Sequence, residues 1–258
     1  GERLVYVNEN GEVTDSSISV EPQAGNTVML TLDSRLQKIA EQSIEDQIHH
    51  LNETAPEGQG REANAGAVCA IDVKTGEVLV LASYPSYDPN TLSEGYSELS
   101  VDPDRPLRNR ALLDTYTPGS IFKPVVALAG LASGEIDSDS LVNCNHVYNY
   151  YASVYGAQAF TPTCLGYHGD ITVKEALKYS CNIFFYDVGR RVGIDAIVDA
   201  AQMLGLGVNN GFELWTNPGT ISSPATAEAT GEKWYYGDVL QSSIGQRFNK
   251  YTPLQLAT

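Results

Sequence analysis

The sequence predicts an α+β fold in which strands lead and helices follow. Residues 65–72 and 77–82 are apolar, β-branched runs joined by Val73-Lys74-Thr75-Gly76, the pattern of a hairpin at the centre of an antiparallel sheet. Beyond Pro118-Gly119 the apolar residues recur at helical spacing instead, as Ile121, Phe122, Val125, Val126, Leu128, Ala129 and Leu131. Strands and helices do not alternate along the chain, which argues against a parallel βαβ layout. The 258 residues, 42% of them hydrophobic, are enough for a sizeable core.

The elements follow in order. Residues 1–25 alternate loosely and read as a strand or hairpin and a linker ending at Pro22 and Gly25. A short strand is predicted over 27–32. Asp33 then caps a helix that puts Leu36, Ile39, Ala40, Ile44 and Ile48 on one face. Residues 52–64 are rich in Glu, Gly and Pro and read as a surface loop. The stretch 83–110 is a long polar connection of the kind that covers a functional site. A helix after Gly119 ends at Gly134, and 140–170 is an irregular, Tyr-rich insertion. Helices are then expected over 172–179, 182–192 and 195–204. Thr258 stops inside a helix-like run, so the chain reads as a piece of a longer protein.

Charge and motifs exclude several function classes. The formal net charge of −16, with no basic stripe, argues against nucleic acid or an anionic membrane surface as partner. The apolar stretches at 78–82 and 124–132 fall far short of the ~18 residues that span a bilayer. Cys69, Cys144, Cys164 and Cys181 form no C-x-x-C pair, and the four His show no H-E-x-x-H spacing, so neither a metal nor a cofactor is expected. Cys69 reads as a small core residue. Cys144 and Cys164 flank the Tyr-rich loop and are either two free thiols or a disulfide, which would close a loop worth ~3 kcal/mol.

One lysine stands apart. The chain has seven, and only Lys123 lies in an apolar run, between Ile121-Phe122 and Pro124-Val125-Val126. Burial of an ammonium is costly and lowers its pKa toward values useful for a general base. Ser120 precedes it by three positions at a helix start, so both side chains share one helix face. A hydroxyl beside a base, at a helix N-terminus with free N–H groups, is the minimal arrangement for covalent acyl transfer. A Ser at that position can equally be a simple cap. Ser180-Cys181-Asn182, between two helical segments, adds a hydroxyl and an amide that can face the same way. Ser-x-x-Lys followed by Ser-x-Asn is the pairing seen in penicillin-recognising enzymes.

With Tyr116-Thr117-Pro118-Gly119-Ser120-Ile121-Phe122-Lys123-Pro124 the sequence resembles the transpeptidase domain of class B penicillin-binding proteins. The segments LTLDSRLQKIAEQSI, AIDVKTGEVLVLASYPSYDPN, HGDITVKEALKYSCNIFFYDVG and SSIGQRFNKYTPLQLAT are similar to that family's pattern, in its order. The resemblance covers residues 26–258 and leaves 1–25 as an N-terminal strand and linker region.

It implies an antiparallel sheet packed between helices, with a helical subdomain bearing Ser180 and with the C-terminal strands missing. It implies a D,D-transpeptidase that cross-links peptidoglycan stem peptides and is acylated by β-lactams. Ser120 would be the nucleophile, with its N–H in the oxyanion hole, and Lys123 the general base. Ser180 would relay the proton and Asn182 would bind the peptide amide. His168-Gly169 would brace the insertion against the helix leading to Ser180. The alternatives within the fold are a β-lactamase and a non-catalytic sensor or division scaffold. Implied partners are the D-Ala-D-Ala stem peptide, β-lactams, a glycosyltransferase and a division or elongation complex. The implied location is the extracytoplasmic face of the cell membrane, with an anchoring helix upstream of Gly1; that compartment favours the Cys144–Cys164 disulfide.

Three features depart from the pattern. Lys74-Thr75-Gly76 lies in a hairpin turn ahead of the nucleophile, whereas the family's third motif is expected beyond Thr258. Arg247 stands where the family often has Gly. Glu213 reads as surface structure rather than as a deacylating base.

Overall fold

The computed structural model describes residues 1–156 and 158–258. It divides into two compact units, 1–31 and 32–258.

In the first unit, β1 (Glu2–Val7) and β2 (Val13–Val20) form an antiparallel hairpin closed by an Asn8–Glu12 turn. The strand predicted at 27–32 does not form. Val28, Met29 and Leu30 stand exposed, Met29 at 92%, on irregular backbone. An apolar run becomes a strand only where a ladder and a covered face receive it.

The second unit is built on the predicted hairpin. In it, β3 (Gly66–Ile71) pairs with β4 (Val78–Tyr84). A register shift between Ala70 and Ile71 lets Val78 and Val80, two positions apart on β4, face opposite layers. Val80 and Ala82 pack against Ile44 and Ile48 of α1 (Ser34–Thr54). Val78 packs with Leu112 of α3 (Arg110–Leu113) and Leu254 of α10 (Pro253–Ala257) on the other side. The sheet is therefore enclosed between helices, as expected for the α+β class.

Asp33 caps α1 as predicted, its carboxylate accepting from the N–H groups of Arg35 (2.9 Å) and Leu36 (3.2 Å). Gln37, one turn on, accepts from Leu81 N–H at 2.9 Å and donates to Leu81 C=O at 3.1 Å, blunting the open edge of β4. The apolar stripe of α1 is only half used. Ile44 and Ile48 are buried, but Ile39 and Leu36 stay exposed because a two-stranded sheet is too narrow to cover them.

The long connection 83–110 holds one short helix, α2 (Leu92–Leu99), and is pinned at its end by the buried Arg110. Arg110 donates to the carbonyls of Asp104 and Arg105. The main core lies beyond it. There α4 (Lys123–Ala132) and α7 (Asn182–Met203) contribute Val125, Val126, Phe184, Phe185 and Val188. At Gly130 a Cβ would come within 2.7 Å of Val188, so only glycine allows α4 and α7 to approach this closely. The two predicted helices over 182–204 are one element broken at Gly193 (φ 78°).

The insertion contains the small ladder of β5 (Val142–Cys144) with β6 (Gly169–Ile171), and α5 (Tyr150–Tyr155). It leads into α6 (Val173–Lys178), opened by a Thr172/Glu175 capping box. Then α8 (Pro224–Ala229) and α9 (Asp238–Ser243) precede the last helix. Among the described residues no helix is long and apolar enough to cross a membrane.

Candidate active site

The first functional segment is held at both ends. Tyr116 exchanges backbone hydrogen bonds with Tyr251 (2.8 and 3.0 Å). Residues Gly119–Phe122 form a 3₁₀ turn that runs directly into α4, whose start is reinforced by Pro124. Phe122 is buried and stacks on Tyr251 with ring centroids 6.0 Å apart. The turn therefore presents Ser120 to solvent and drives Lys123 inward, to 1% exposure.

A second strand of backbone lies across this turn. Gly119 N–H donates to Gly245 C=O at 3.0 Å. A Cβ on Gly245 (φ 73°) would sit 2.1 Å from the Gly119 carbonyl oxygen and 2.7 Å from Phe122 Cβ. No side chain fits there, so Gly245 sets the height of the Ser120 turn.

Ser180, Cys181 and Asn182 form the junction between α6 and α7. Ser180 N–H bonds Leu177 C=O (3.2 Å) and Cys181 N–H bonds Ala176 C=O (2.9 Å), the reciprocal pair of a Schellman motif. Its left-handed position is usually glycine; here Ser180 occupies it at φ 52°. A serine in that region carries ~1 kcal/mol or more of strain, a common signature of functional positions. Cys181 then caps α7, accepting from Phe184 N–H, and Asn182 is the first helical residue.

Lys123 joins the two motifs across 57 positions. Its Nζ donates to Ser180 C=O (2.7 Å), Ser180 Oγ (2.9 Å) and Asn182 Oδ1 (2.8 Å). All three ammonium protons are thereby directed at the second motif. Ser120 Oγ has no hydrogen-bond partner among the described residues and stays open to an incoming ligand. Asn182 Nδ2 donates to Thr163 C=O (3.3 Å), which fixes the amide's orientation. Burial holds the Lys123 pKa below the ordinary lysine value of 10.5, opposed by the thiols of Cys164 and Cys181. Nζ also lies over the Phe185 ring, 5.7 Å from its centroid, a contact that favours the ammonium against the desolvation. An exposed hydroxyl, a desolvated amine, a second hydroxyl and an oriented amide together suit nucleophilic acyl transfer.

Residues 66–258 match the penicillin binding protein transpeptidase domain. The chain belongs to that family. The peptidoglycan D,D-transpeptidase MrdA of Acinetobacter baumannii is 32% identical over 244 residues, 92% of this chain and 33% of that protein. The chain thus spans about a third of the length of this curated relative. A solved peptidoglycan synthase complex, described as coordinating polymerization and crosslinking, contains a chain 32% identical, with a TM-score of 0.77 over 98% of this chain and 44% of that one. The penicillin G acyl-enzyme complex of penicillin-binding protein A from M. tuberculosis is 26% identical, with a TM-score of 0.68 over 88% of this chain and 49% of that one.

The departures noted in the sequence find structural places in this transpeptidase domain. Lys74-Thr75-Gly76 is an exposed turn in which Asp72 Oδ1 accepts from Lys74 N–H (2.8 Å) and Thr75 N–H (3.1 Å). Glu213 is exposed. Arg247 pairs with Glu232 (2.7 Å) and Asp238 (3.1 Å) and covers the Phe248 ring, anchoring the loop that carries Gly245. His168 stacks on Tyr179 at the end of α6 (5.6 Å).

Cys144 and Cys164 do approach one another, but all four cysteines are free thiols and the disulfide alternative is not formed. Instead, Sγ of both faces His168 Nδ1, at 3.3 and 3.7 Å. Gly245, Thr163 and Phe185 went unrecognised as site residues in the sequence. The positive-φ requirement at Gly245 is invisible in the sequence without the neighbouring Gly119 turn.

Proposed function

We propose that this domain carries the nucleophile of a D,D-transpeptidase that cross-links peptidoglycan stem peptides. The observation that carries the reading is Lys123 Nζ bonded to both Ser180 Oγ and Asn182 Oδ1, with Ser120, three positions before it, exposed. Desolvation favours the neutral amine, which takes the proton of Ser120 as Oγ attacks the penultimate D-Ala carbonyl carbon. The carbonyl π electrons move to oxygen, where the backbone N–H of Ser120 donates to the oxyanion. Collapse breaks the C–N bond. The proton passes from Lys123 through Ser180 Oγ to the leaving D-Ala amine. The acceptor amine then attacks the Ser120 ester, and the alcohol is regenerated by the reverse relay. Asn182 orients the donor peptide's amide.

β-Lactams enter the same chemistry, because their strained amide presents an acyl carbon to Ser120. The likeness to a penicillin G acyl-enzyme supports this. The likeness to a chain of a peptidoglycan synthase complex supports a glycosyltransferase partner within a division or elongation assembly. Such a substrate supports a location on the extracytoplasmic face of the cell membrane.

The test is covalent labelling of the full-length protein with a fluorescent penicillin. The expected result is a long-lived adduct on Ser120, abolished in Ser120→Ala. Persistent labelling of that variant would remove Ser120 from the nucleophile role, and turnover of the adduct within seconds would identify a β-lactamase instead.

A further inference from the structure

The Tyr-rich insertion carries a face that the acyl-transfer chemistry leaves unused. Tyr150, Tyr151 and Tyr155 of α5 pack there with Tyr236, which comes from the segment before α9. Tyr151 is the base of the cluster. It is buried, its hydroxyl donates to Tyr236 C=O (3.1 Å), and its ring meets Tyr236 edge-on at 4.6 Å. Tyr155 and Tyr236 stand on that base with ring centroids 4.9 Å apart, and they remain 62% and 43% exposed. Contiguous exposed aromatic surface of this kind marks an interaction site rather than packing.

The face is tied to both halves of the candidate active site. Phe160 N–H approaches Tyr236 Oη at 3.5 Å, and Phe160 lies three positions before Thr163, whose carbonyl orients Asn182. Three residues of chain span at most about 11 Å. On the other side, Arg247 pairs with Glu232 and Asp238, which bracket Tyr236, and belongs to the loop that carries Gly245. The two arginines bordering the face are therefore compensated: Arg247 by those carboxylates, and Arg190, which covers the Tyr150 ring at 3.8 Å, by Asp187 at 3.0 Å. Flat rings rimmed by phenol hydroxyls, beside cations that are already paired, suit a neutral ligand with an apolar face and a polar edge. A pyranose sugar has that shape, with C–H groups on its face and hydroxyls at its rim. Tyrosines also hold such a ligand at low entropic cost, since each ring has only two torsions to fix.

We propose that Tyr155 and Tyr236 form a saccharide platform that receives the N-acetylated sugars of the glycan strand to which the donor stem peptide is attached. The inference rests on the acyl-transfer reading for the identity of that strand. A stem peptide engaged at Ser120 carries its sugar within a few residues' reach, and the platform lies within a few residues of Asn182. The sugar lays its C–H face on the two rings, while the phenol hydroxyls meet its hydroxyl and acetamido groups at the edge. These contacts are the same before and during acylation, so the platform lowers KM for a strand-borne stem peptide and leaves kcat alone. It thereby distinguishes a stem peptide on its glycan from a free one.

The test has two arms, both on the full-length protein. In the first, a β-1,4-linked tetramer of N-acetylglucosamine is titrated into the unaltered protein and the tyrosine ring resonances are followed by NMR. Those of Tyr155 and Tyr236 should shift together and saturably, while Tyr6 in the N-terminal hairpin stays still. No shift at the two rings up to ~10 mM sugar, or shifts confined to other residues, would overturn the platform. A sugar-free peptide ending in D-Ala-D-Ala should move the two rings less, and equal or larger shifts from it would assign the face to peptide instead. In the second arm, kcat/KM is compared for a stem-peptide donor with and without its disaccharide. The preference for the sugar-bearing donor should fall about 3- to 10-fold in Tyr155→Ala, through KM, and persist in Tyr155→Phe, which keeps the ring. A preference as large in Tyr155→Ala as in the unaltered protein would overturn the proposal. Penicillin carries no sugar, so its labelling of Ser120 reports on the acyl-transfer reading separately from the platform. The titration of the unaltered protein decides the question should the Ala variant fail to fold.

Discussion

Lys123 and Ser180, 57 positions apart, are joined twice: Nζ donates to the Ser180 carbonyl at 2.7 Å and to its hydroxyl at 2.9 Å. The carbonyl lies at the junction of α6 and α7, just past the C-cap of one and just before the N-cap of the other. The ammonium is thus supported by a backbone carbonyl as well as by side chains, while its burial favours losing the proton. That opposition gives a buried lysine two usable protonation states.

Lys123→Met should separate catalysis from folding. Methionine has a similar volume and needs no solvation, which removes a buried charge. It leaves the Ser180 carbonyl, Ser180 Oγ and Asn182 Oδ1 without their donor, at a cost of about 1–3 kcal/mol. Stability should therefore change by no more than about 2 kcal/mol in chemical denaturation. Penicillin acylation should fall by ~10²–10⁴-fold, the range of a lost general base. Acylation at an unaltered rate would remove Lys123 from that role.

The pH dependence follows from the direction of the Lys123 shift. The folded pKa lies below 10.5, chiefly through burial, with Cys164 and Cys181 opposing. Between the folded and unfolded values the unfolded chain holds more protons at this site, so its contribution to stability grows as pH rises. The neutral, base-competent amine accumulates in the same direction. Acylation rates measured from about pH 5 to about pH 9 should climb, with a midpoint below that of ordinary lysine. A flat profile would exclude Lys123 as the titrating base.

Ser180 combines a strained backbone with a functional hydroxyl, and two substitutions part them. Ser180→Ala keeps a Cβ at φ 52° and loses the hydroxyl; Ser180→Gly loses the hydroxyl and relieves the strain. The left-handed penalty of ~1–2 kcal/mol outweighs the ~0.5–1 kcal/mol entropic cost of glycine. The Gly variant should thus be the more stable of the two by up to about 1 kcal/mol in urea, while both acylate equally slowly. An Ala variant as stable as the Gly variant would mean that the position is unstrained.

Much of the fold was legible because its determinants are local. The Asp33 cap, the hairpin around Val73–Gly76 and the helix break near Gly193 each depend on residues a few positions apart. The pairing of Ser-x-x-Lys with Ser-x-Asn was equally readable, since each half is a short motif. What escaped depends on distance. Met29 and its neighbours have strand-forming residues, but a strand requires a partner. The α2 segment has Gly95 in its centre and only two helical turns. Cys144 and Cys181 lie far on either side of Cys164 and His168 in the chain, so no spacing rule groups the four. Only the Schellman end of α6 and the β5–β6 ladder bring them together.

The same distance effect hides Gly245, and it supplies the sharpest test of how the Ser120 turn is held. Gly245→Ala introduces a Cβ at φ 73°, 2.1 Å from the Gly119 carbonyl oxygen. Both contacts involve rigid groups, backbone at Gly119 and the buried Phe122, so no flexible side chain can yield. Either the loop lifts, breaking the 3.0 Å hydrogen bond from Gly119 N–H, or the turn itself shifts and carries Ser120 with it. Left-handed strain and overpacking together should cost about 2–4 kcal/mol. In either case acylation should slow more than binding of a non-covalent ligand weakens, because a displaced nucleophile loses its attack geometry first. Gly119→Ala, where no atom beyond the adjoining residues lies within 4 Å of the added Cβ, meets strain without collision and should cost about half as much. Equal losses at the two glycines would show that the turn is governed by backbone conformation alone and owes nothing to the Gly245 contact.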